Sequence, residues 1–592
     1  MIATSTAFDT AITGSPRKTK SKITFDILDV TAAGDATESA TSEASISRIT
    51  QTTDGIREMS AKYATNENDY TLLDGGFTLP PETTDGSYQV GLWSDALSQA
   101  DNTYAVSQVL TVDFTSNHSS IGITLTFDKG TNEYADSFTI QAYDSTSTLL
   151  DTDTVTGNTL SKYVWTSNLT DYRQIVVTVT KWCKPYRRVR ITEIDFGIVE
   201  EYTDDNLFSV GLLEELSPTS QEVAANELTY EIDNQDKRFD ILNPTGIYSF
   251  LQRKQKITTQ IGVQTLPGVY EYVNMGIHYL TEWKSNAGTF TATFVALDIL
   301  DILEKSFWRK SDLANITLEN LAIAVFADAE ITDYDIDASL ASITVKNYMP
   351  IVTHRQALQM IAVASESVVY SDRDGQIVIK PLSATPSGKT ISLDDVYESP
   401  EIQLAPLYNQ IDVDIYDFIT GASETVYNGT LALTGTTNLW IEYKEPASSV
   451  SVGLSSGSLD AAVYYTNAAY LTITATGNIT ITATGNKVEL AKSPYQLVDP
   501  SIPAGELAST LKVDNTLING SAVATSVASW ILAENNKRKL YNINWRQNPA
   551  FETGDVVTVE DDYSVDDDTT ITRQEFNFAG YLSGSSNSKG VS

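Results

Sequence analysis

The sequence is poor in cysteine and histidine, and this shortage excludes several kinds of site. Its 592 residues include one cysteine, Cys183, and three histidines. A single cysteine cannot build a disulfide framework within the chain. One cysteine and three histidines also never fall at the spacing of zinc ligands. A Cys–His nucleophile would have to pair Cys183 with His278 or His354, but Cys183 lies in the basic run KWCKPYRRVR and no helix begins there in the sequence pattern.

Positive charge is the second shortage. The chain has 39 basic against 77 acidic residues, a formal net charge of -38 at pH 7. Such a surface repels nucleic acid and anionic membranes, so no specific nucleic-acid binding is expected. An acidic surface still suits a conduit through which DNA passes without sticking.

Long apolar runs are missing as well. No run approaches the ~18 apolar residues of a membrane-spanning helix, and residues 1–22 lack the apolar region of a signal peptide. We therefore expect synthesis and assembly in a reducing cytosol, without a membrane anchor.

Strand-forming residues are what the chain does contain. Hydrophobic residues make up 41% of the chain, and this length predicts three or four domains. Thirty tyrosines and many short alternating runs predict a mainly β, multidomain protein. Within residues 105–200, runs such as IGITLTF and QIVVTVT recur at roughly 8–12-residue spacing, which predicts a jelly-roll-like β-sandwich.

Helical periodicity appears in three places. Residues 317–327 have a one-sided apolar pattern after Thr317, a plausible N-cap. Residues 354–366 follow Thr353 and Gln356 at capping-box spacing and lead to a hairpin turn at Asp374-Gly375. The third helix lies near the end of the chain and has Val523, Val527, Trp530 and Ile531 on one face.

Two short patterns in the strand-rich region after residue 400 have simple interpretations. The repeat ITATGN, at 473–478 and 481–486, predicts two turns that close successive strands. Residues 453–457, GLSSG, match the G-x-S-x-G nucleophile elbow, which requires a histidine later in the chain. All three histidines precede it, so a Gly/Ser loop is the favoured interpretation.

The segment from Trp545 to Thr570 is dense in carboxylates. Glu552 and Asp555 are three residues apart, beside a proline and a glycine, and form either an acid/base pair or a loop. Because VVTVE alternates like a strand directly afterwards, we interpret the pair as the loop that leads into it. A glycosidase needs two carboxylates ~5–10 Å apart, and spacing among 77 acids selects no such pair.

The 105–200 region carries two candidate ligand sites. Asp128, Glu133 and Asp136 lie close together in FDKGTNEYADSF and are candidate calcium ligands, with a solubilising acidic loop as the alternative. Trp165 and Tyr172 fall near predicted loops and are candidates for stacking on carbohydrate, with a core position as the alternative.

A basic cluster interrupts the acidic chain in the same region. We predict that it contacts an acidic neighbouring subunit; the alternatives are a solvated strand face and a nucleic-acid contact. Its members are Lys181, Lys184, Arg187, Arg188 and Arg190.

Three stretches resemble the baseplate-hub (tail-hub) family of tailed bacteriophages and contractile injection systems. They run from Leu212 to Ile257, from Pro350 to Leu382, and from Ser521 through WRQNPAFETGDVV to FNFAGYLSG. Their order along one chain carries the resemblance. Earlier in the chain, KYATNENDYTLLDGGFTLPP and GLWSDALS are similar to tail-tip proteins with an inserted β-sandwich, and the insert resembles galactose-binding-like jelly rolls.

The resemblance implies an architecture and a role. It implies a homotrimeric hub in the virion tail tip, assembled in the host cytoplasm, in which two tube-like β-barrels per chain match a six-fold tail tube. Its partners would be the tail tube, the tape-measure protein and distal baseplate or fibre proteins, with DNA passing through an acidic lumen. A host cell-wall glycan bound by the insert is the alternative role, and no catalytic activity or cofactor is expected beyond the calcium considered above. The expected division is an N-terminal arm at 1–20, a first barrel at 21–104 and 201–310, the jelly roll at 105–200, a small α+β domain at 311–399 and a second barrel at 400–592.

Overall fold

A computed structural model of the chain describes residues 1–65, 67, 76–79, 88–243, 246–286, 288–383, 385–499, 509–562 and 566–590. Most of the stretch KYATNENDYTLLDGGFTLPP lies outside these residues. The α-helices are α1 (Thr6–Thr13), α2 (Ala32–Asp35), α3 (Ile299–Leu303), α4 (Leu318–Asp328), α5 (His354–Ala364) and α6 (Ser521–Asn536), and 3-10 helices span Ile49–Thr53, Tyr248–Phe250 and Ala338–Ser342.

Strands make up most of the ordered structure, as predicted. They are β1 (Thr19–Leu28), β2 (Ala36–Ala40), β3 (Leu92–Leu97), β4 (Thr103–Phe127), β5 (Ala135–Tyr143), β6 (Leu149–Val155), β7 (Lys162–Trp182), β8 (Arg188–Asp195), β9 (Gly197–Tyr202), β10 (Leu207–Glu215), β11 (Glu227–Asp233), β12 (Lys256–Leu266), β13 (Val269–Asn286), β14 (Thr291–Leu297), β15 (Phe307–Trp308), β16 (Asn315–Thr317), β17 (Tyr334–Ile336), β18 (Thr344–Lys346), β19 (Val352–Thr353), β20 (Val368–Ser371), β21 (Ile377–Lys380), β22 (Thr390–Ile391), β23 (Glu401–Leu404), β24 (Gln410–Glu442), β25 (Ala447–Leu454), β26 (Ser458–Tyr464), β27 (Ala468–Val498), β28 (Thr510–Val513), β29 (Lys539–Trp545), β30 (Val556–Val559), β31 (Asp567–Phe578) and β32 (Leu582–Gly590).

The largest sheet joins strands from both ends of the chain. Its order is β23-β29-β32-β31-β10-β11-β14-β13-β12-β1-β9, and β30 pairs with β31 and β22. The connection between its two halves is β10 against β31, antiparallel, with Val210 opposite Phe578 and Glu215 opposite Arg573. Strands β10–β14 of the predicted first barrel and strands β29–β32 of the predicted second barrel therefore belong to one continuous sheet.

The inserted module has a sheet and a core of its own. The sheet order is β3-β8-β4-β7-β5-β6, with β2 paired to β4. Its core residues, Val177 among them, are buried together with Ala32 and Leu92. The module thus takes in described residues between 32 and 196, not only 105–200. The short strands β2 and β3 lie outside the predicted boundary, since β2 has no fully buried residue and the buried residues of β3 are consecutive and do not alternate.

The small α+β domain matches the helix predictions. Thr317 caps α4 by accepting a hydrogen bond from the backbone N–H of Asn320. At α5, Thr353 and Gln356 form the predicted capping box. The predicted hairpin joins β20 and β21, and Gly375 adopts φ +89° in the turn, a conformation that favours glycine.

Residues 410–499 and 509–513 form a separate sheet within the predicted second barrel. β24 and β27 pair along almost their whole length, with β25, β26 and β28 at their edges. β24 is strongly curved, since the N–H of Lys444, two residues after its end, donates to the carbonyl of Val426 in its middle. Both ITATGN copies lie inside β27, so the prediction of two strand-closing turns is wrong. Alternating isoleucine and threonine can extend one strand through both copies because one face is buried and the other is exposed.

The C-terminal helix and the N-terminal arm both pack on the rest of the fold. In α6, Val527 and Ile531 are buried against Ile411 and Val413 at the start of β24. Both belong to the apolar helical face that the sequence predicts. The polar arm at 1–20 contains α1, whose Phe8 and Ile12 enter the core of the large sheet. In the part of the chain that the structure describes, no helix combines the length and apolarity needed to cross a membrane.

Candidate functional site

Arg373 occupies the point where the large sheet meets the α+β domain. It lies in the turn between β20 and β21, and only 5% of the residue is exposed. Its Nε donates to Glu214 Oε1 at 2.6 Å and its Nη2 donates to Glu214 Oε2 at 2.9 Å. This two-pronged geometry matches a planar guanidinium to a carboxylate on β10.

The same guanidinium binds the loop before β30. Its Nη1 donates to the Pro549 carbonyl, its Nη2 donates to the Phe551 carbonyl at 2.7 Å, and its Cζ lies 5.3 Å from the ring centre of Phe576. One side chain therefore connects the three stretches on which the hub resemblance rests. We call this arrangement the Arg373 junction: Arg373, Glu214, Pro549, Phe551 and Phe576.

The electrostatics of the junction keep the arginine charged. Burial lowers the pKa of Arg373, but the charge and the hydrogen bonds of Glu214, together with the charges of Glu552 and Asp555, raise it by more, so the net shift is upward. Burying an isolated charge is unfavourable. In Arg373 the charge is paired with a carboxylate and all three guanidinium nitrogens donate hydrogen bonds, which offsets that cost. The junction holds segments together and presents no free acid or base.

Glu552 and Asp555 are also structural. The Glu552 N–H donates to Asp555 Oδ2 at 2.8 Å, which closes the loop. Each carboxylate then lies 2.7 Å from the amino group of Met1. This supports the interpretation of the segment as a loop that leads into β30.

The two aromatic residues predicted to bind carbohydrate are core residues. Trp165 and Tyr172 both lie within β7 and not in loops, and Tyr172 has no exposed surface. The Tyr172 ring packs edge-on against Phe114, with 5.5 Å between ring centres. A ring enclosed in this way cannot stack on a sugar, so this prediction is wrong.

The three predicted calcium ligands bind basic side chains instead. Asp128 Oδ2 accepts from Arg190 at 2.8 Å, Glu133 Oε1 lies 3.2 Å from Lys184, and Asp136 Oδ1 lies 3.2 Å from Lys181. Among the described residues, no group of three or more Asp, Glu, His or Cys side chains is arranged to hold a metal ion. The geometry contradicts a calcium site built from these carboxylates.

The predicted basic cluster is largely an internal network. Arg190 is 4% exposed, pairs with Asp128 and Glu67, and lies 4.1 Å above the Trp93 ring. Arg187 pairs with Glu67 and Glu133. Both arginines neutralise acids of their own module. The prediction of a subunit contact is wrong for the buried Arg190, and for the half-buried Arg187 it stays a prediction.

The remaining members of the cluster are more exposed. Arg188 donates to the Ser94 carbonyl at 2.8 Å and pairs with Asp95, while Lys181 and Lys184 hold the carboxylates named above. A subunit contact by Arg188 or by these two lysines stays a prediction.

One buried ion pair of the module was not visible in the sequence. Arg57 Nε donates to Asp195 Oδ2 at 2.8 Å, and Arg57 also pairs with Asp26 of β1 at 2.9 Å. This links the module to the large sheet. Residues 57 and 195 lie 138 positions apart, and no spacing rule connects them.

The candidate nucleophile groups are dispersed. Cys183 packs beside the core of the module, where burial raises the pKa of its thiol. His278 lies on β13 in the large sheet and His354 begins α5. Ser455 lies between β25 and β26 and hydrogen-bonds to the backbone of Thr480. Among the described residues, no hydrogen bond joins Cys183 or Ser455 to a histidine. His354 has different partners: its Nδ1 lies 2.7 Å from Ser306 Oγ and its Nε2 lies 3.0 Å from Asp328 Oδ2, so this Ser–His–Asp contact lies in the small α+β domain and includes neither candidate nucleophile.

Comparisons with known proteins give structural matches. Neither the family models nor the curated protein sequences match this chain. A tail protein from Neisseria meningitidis MC58 is similar, with 11% identity and a TM-score of 0.39 over 66% of this chain and 93% of its own. The 43 kDa tail protein of prophage MuSo2 from Shewanella oneidensis is similar at 12% identity and a TM-score of 0.37, over 66% of this chain and 94% of its own. A family 32 carbohydrate-binding module of C. perfringens NanJ, solved with galactose, matches 30% of this chain and 99% of its own at 18% identity and a TM-score of 0.19. The structural neighbours of this chain thus include tail proteins and a carbohydrate-binding module.

Proposed function

We propose that this protein is a structural hub of a phage tail or a related injection apparatus, without enzymatic activity. The observation that carries the proposal is the Arg373 junction, where the three hub-like stretches meet around one buried guanidinium. The shared sheet formed by β10 and β31 supports it, because it makes one continuous support from segments more than 350 residues apart in the chain.

The hub would act as a homotrimer at the tail tip. Two sheet halves per chain would give six similar units around a central channel, which suits a six-fold tail tube. The net charge of -38 would keep DNA from adhering to the channel wall. The tail tube and the tape-measure protein would contact one end, and baseplate or fibre proteins the other.

The oligomeric state of the purified chain tests this directly. Light scattering should give a mass three times 64.7 kDa, and negative-stain averages should show a three-fold ring with a channel. A monomer both in solution and in the assembled particle would overturn the proposal. Zymography on peptidoglycan should show no clearing, and clearing would contradict the non-enzymatic role.

A second candidate function is receptor binding by the inserted module. The module has its own core, and Tyr186, in a turn just before β8, keeps 39% of its surface exposed beside Lys184. Glycan-array binding by the full chain that disappears in Tyr186→Ala would favour this function. Array binding that Tyr186→Ala leaves intact would count against it.

A further inference from the structure

The outward face of the sheet formed by β24 and β27 carries a regular ladder of small polar side chains. Between residues 428 and 442 the two strands pair without a register shift, so every second residue faces the same way. On β27 the outward positions from Thr472 to Thr482 are all threonine except Asn478. On β24 the outward positions are Asn428, Thr430, Ala432, Thr434, Thr436 and Asn438.

The ladder is uncharged in a strongly charged protein. Residues 428–440 and 470–482 contain no Asp, Glu, Lys or Arg, although these residues make up 20% of the chain. Cross-strand hydrogen bonds fix its side chains: Thr430 Oγ1 is 2.9 Å from Thr480 Oγ1, and Thr436 Oγ1 is 2.7 Å from Thr474 Oγ1. Depletion of charge is a feature of binding surfaces, while exposed acids are what keeps the rest of this chain soluble.

Aromatic rings extend the same face at one end. Trp440 lies opposite Tyr470, with 5.0 Å between ring centres, and Val463 of β26 lies on the other side of Tyr470. Tyr465 adds a ring 5.8 Å from that of Trp440. Tyr470 and Val463 are 37% and 48% exposed. We call Trp440, Tyr465, Tyr470 and Val463 the aromatic platform.

Two charged groups border the platform. Arg309 lies 6.0 Å from the Trp440 ring centre, and its Nε donates to Glu442 Oε1 at 2.8 Å. The charges at this border therefore largely cancel, and the platform itself is neutral. At the edge of the ladder, Asp460 Oδ2 accepts from Thr474 Oγ1 at 2.5 Å.

The geometry points to a neutral polysaccharide as the ligand of this face. Tyrosine and tryptophan present flat apolar surfaces with a polar group, which suits the C–H face of a pyranose ring. The hydroxyls and amides of the ladder donate and accept hydrogen bonds, as sugar hydroxyls do. A polymer would bind along the ladder, with one or two sugar rings on the aromatic platform.

Other classes of ligand fit this face less well. Nucleic acid needs phosphate-neutralising Lys or Arg, and the two outward rows have none. An apolar protein partner would leave the ladder hydroxyls without hydrogen bonds. The surface is on a different sheet from the inserted module and does not depend on the trimeric hub.

The test uses the full chain with two neutral probes, chitohexaose in calorimetry and insoluble chitin in sedimentation. We expect binding to at least one probe and a loss of at least about tenfold in affinity for Tyr470→Ala, as for truncation of an aromatic interface anchor. Thr436→Val with Thr474→Val keeps the shape of the ladder but removes two hydroxyls, and should also weaken binding. Tyr581→Ala is the matched control, because Tyr581 is an exposed tyrosine in a turn of the large sheet.

Circular dichroism checks that each variant remains folded, and the double valine variant keeps the test valid if Tyr470→Ala does not fold. Three outcomes would overturn the inference. They are no binding of either probe by the unaltered chain, binding by the ladder and platform variants as tight as that of the unaltered chain, or binding lost in Tyr186→Ala but kept in Tyr470→Ala. A change of oligomeric mass in Tyr470→Ala without any glycan binding would assign the face to contact with a second copy and would also overturn it. A monomeric but glycan-binding chain would support this inference while refuting the trimeric hub.

Discussion

Removing Arg373 should open the large sheet between β10 and β31. Arg373→Met would leave the Glu214 carboxylate buried without its cation, which costs about 3–5 kcal/mol. The variant would also remove the donor to the Pro549 carbonyl, for a further loss of about 1–3 kcal/mol. The Phe551 carbonyl is less affected, because Gln574 Nε2 still donates to it at 3.0 Å.

A double variant separates the charge effect from the rest. In Glu214→Met with Arg373→Met no charge is left unpaired, and replacing a buried ion pair by apolar groups is often close to neutral. Only the Pro549 carbonyl then lacks its partner, so the expected loss falls to about 1–3 kcal/mol. The double variant should therefore be more stable than Arg373→Met alone.

Hydrogen exchange read by mass spectrometry is the appropriate assay, because a multidomain chain does not unfold in one step. In Arg373→Met, peptides that cover 207–215 and 567–578 should exchange on the order of a thousandfold faster, the equivalent of about 4 kcal/mol. Arg309→Met is the matched control: its partner Glu442 is 49% exposed, and the loss should be below about 1 kcal/mol. If Arg373→Met exchanges as slowly as the control, or if the double variant is as labile as the single one, the reasoning fails.

Three further predictions concern single groups. Thr353→Ala should destabilise α5 by about 1 kcal/mol because it removes the capping box, and exchange in 354–364 should rise while that in α4 does not. Burial lowers the pKa of His278 to about 3. Between pH ~6.5 and this value, the imidazole is protonated in the unfolded state but neutral in the folded state. Stability should then fall by about 1.4 kcal/mol per pH unit between these values. Hydrogen exchange of peptides that cover 269–286 at pH 7.5 and 4.5, corrected for the intrinsic exchange rate, should show that His278→Gln lacks about 2–3 kcal/mol of that decline. Burial raises the pKa of Glu193 to about 11, so it is neutral at pH 7 and Glu193→Gln should cost under ~1 kcal/mol. Asp195→Asn should cost about 3 kcal/mol because it breaks the pair with Arg57. Hydrogen exchange of peptides that cover 188–195 compares the two variants, and equal losses of protection would contradict the assignment.

Local signals were predictable from the sequence, and long-range pairings were not. The caps at Thr317 and Thr353 and the turn at Gly375 depend on residues within four positions, and all three were predicted. The repeat in β27 was misread because Gly-Asn is a turn signal, while pairing with β24 kept the strand extended.

The candidate sites show the same limit. Tyr172 and Arg190 were chosen for their chemistry, but the side chains that enclose them, Phe114 and Glu67, come from distant segments. The Arg373 junction joins positions 159 and 176 residues apart, so no pattern in the sequence marks it. The residues of the ladder were seen only as a repeat, since their common face becomes evident once the register is known.

The pairing of β10 with β31 also sets an order of events during synthesis. β10 ends at Glu215, but its partner is complete only when Phe578 has been made, more than 350 residues later. Until then one edge of β10 is open, and an unpaired edge is where chains associate wrongly. At about 5–20 residues per second that interval is on the order of 20–70 s. The inserted module, whose strands end at Asp195, can fold in that time, whereas the large sheet closes only after most of the chain has been synthesised.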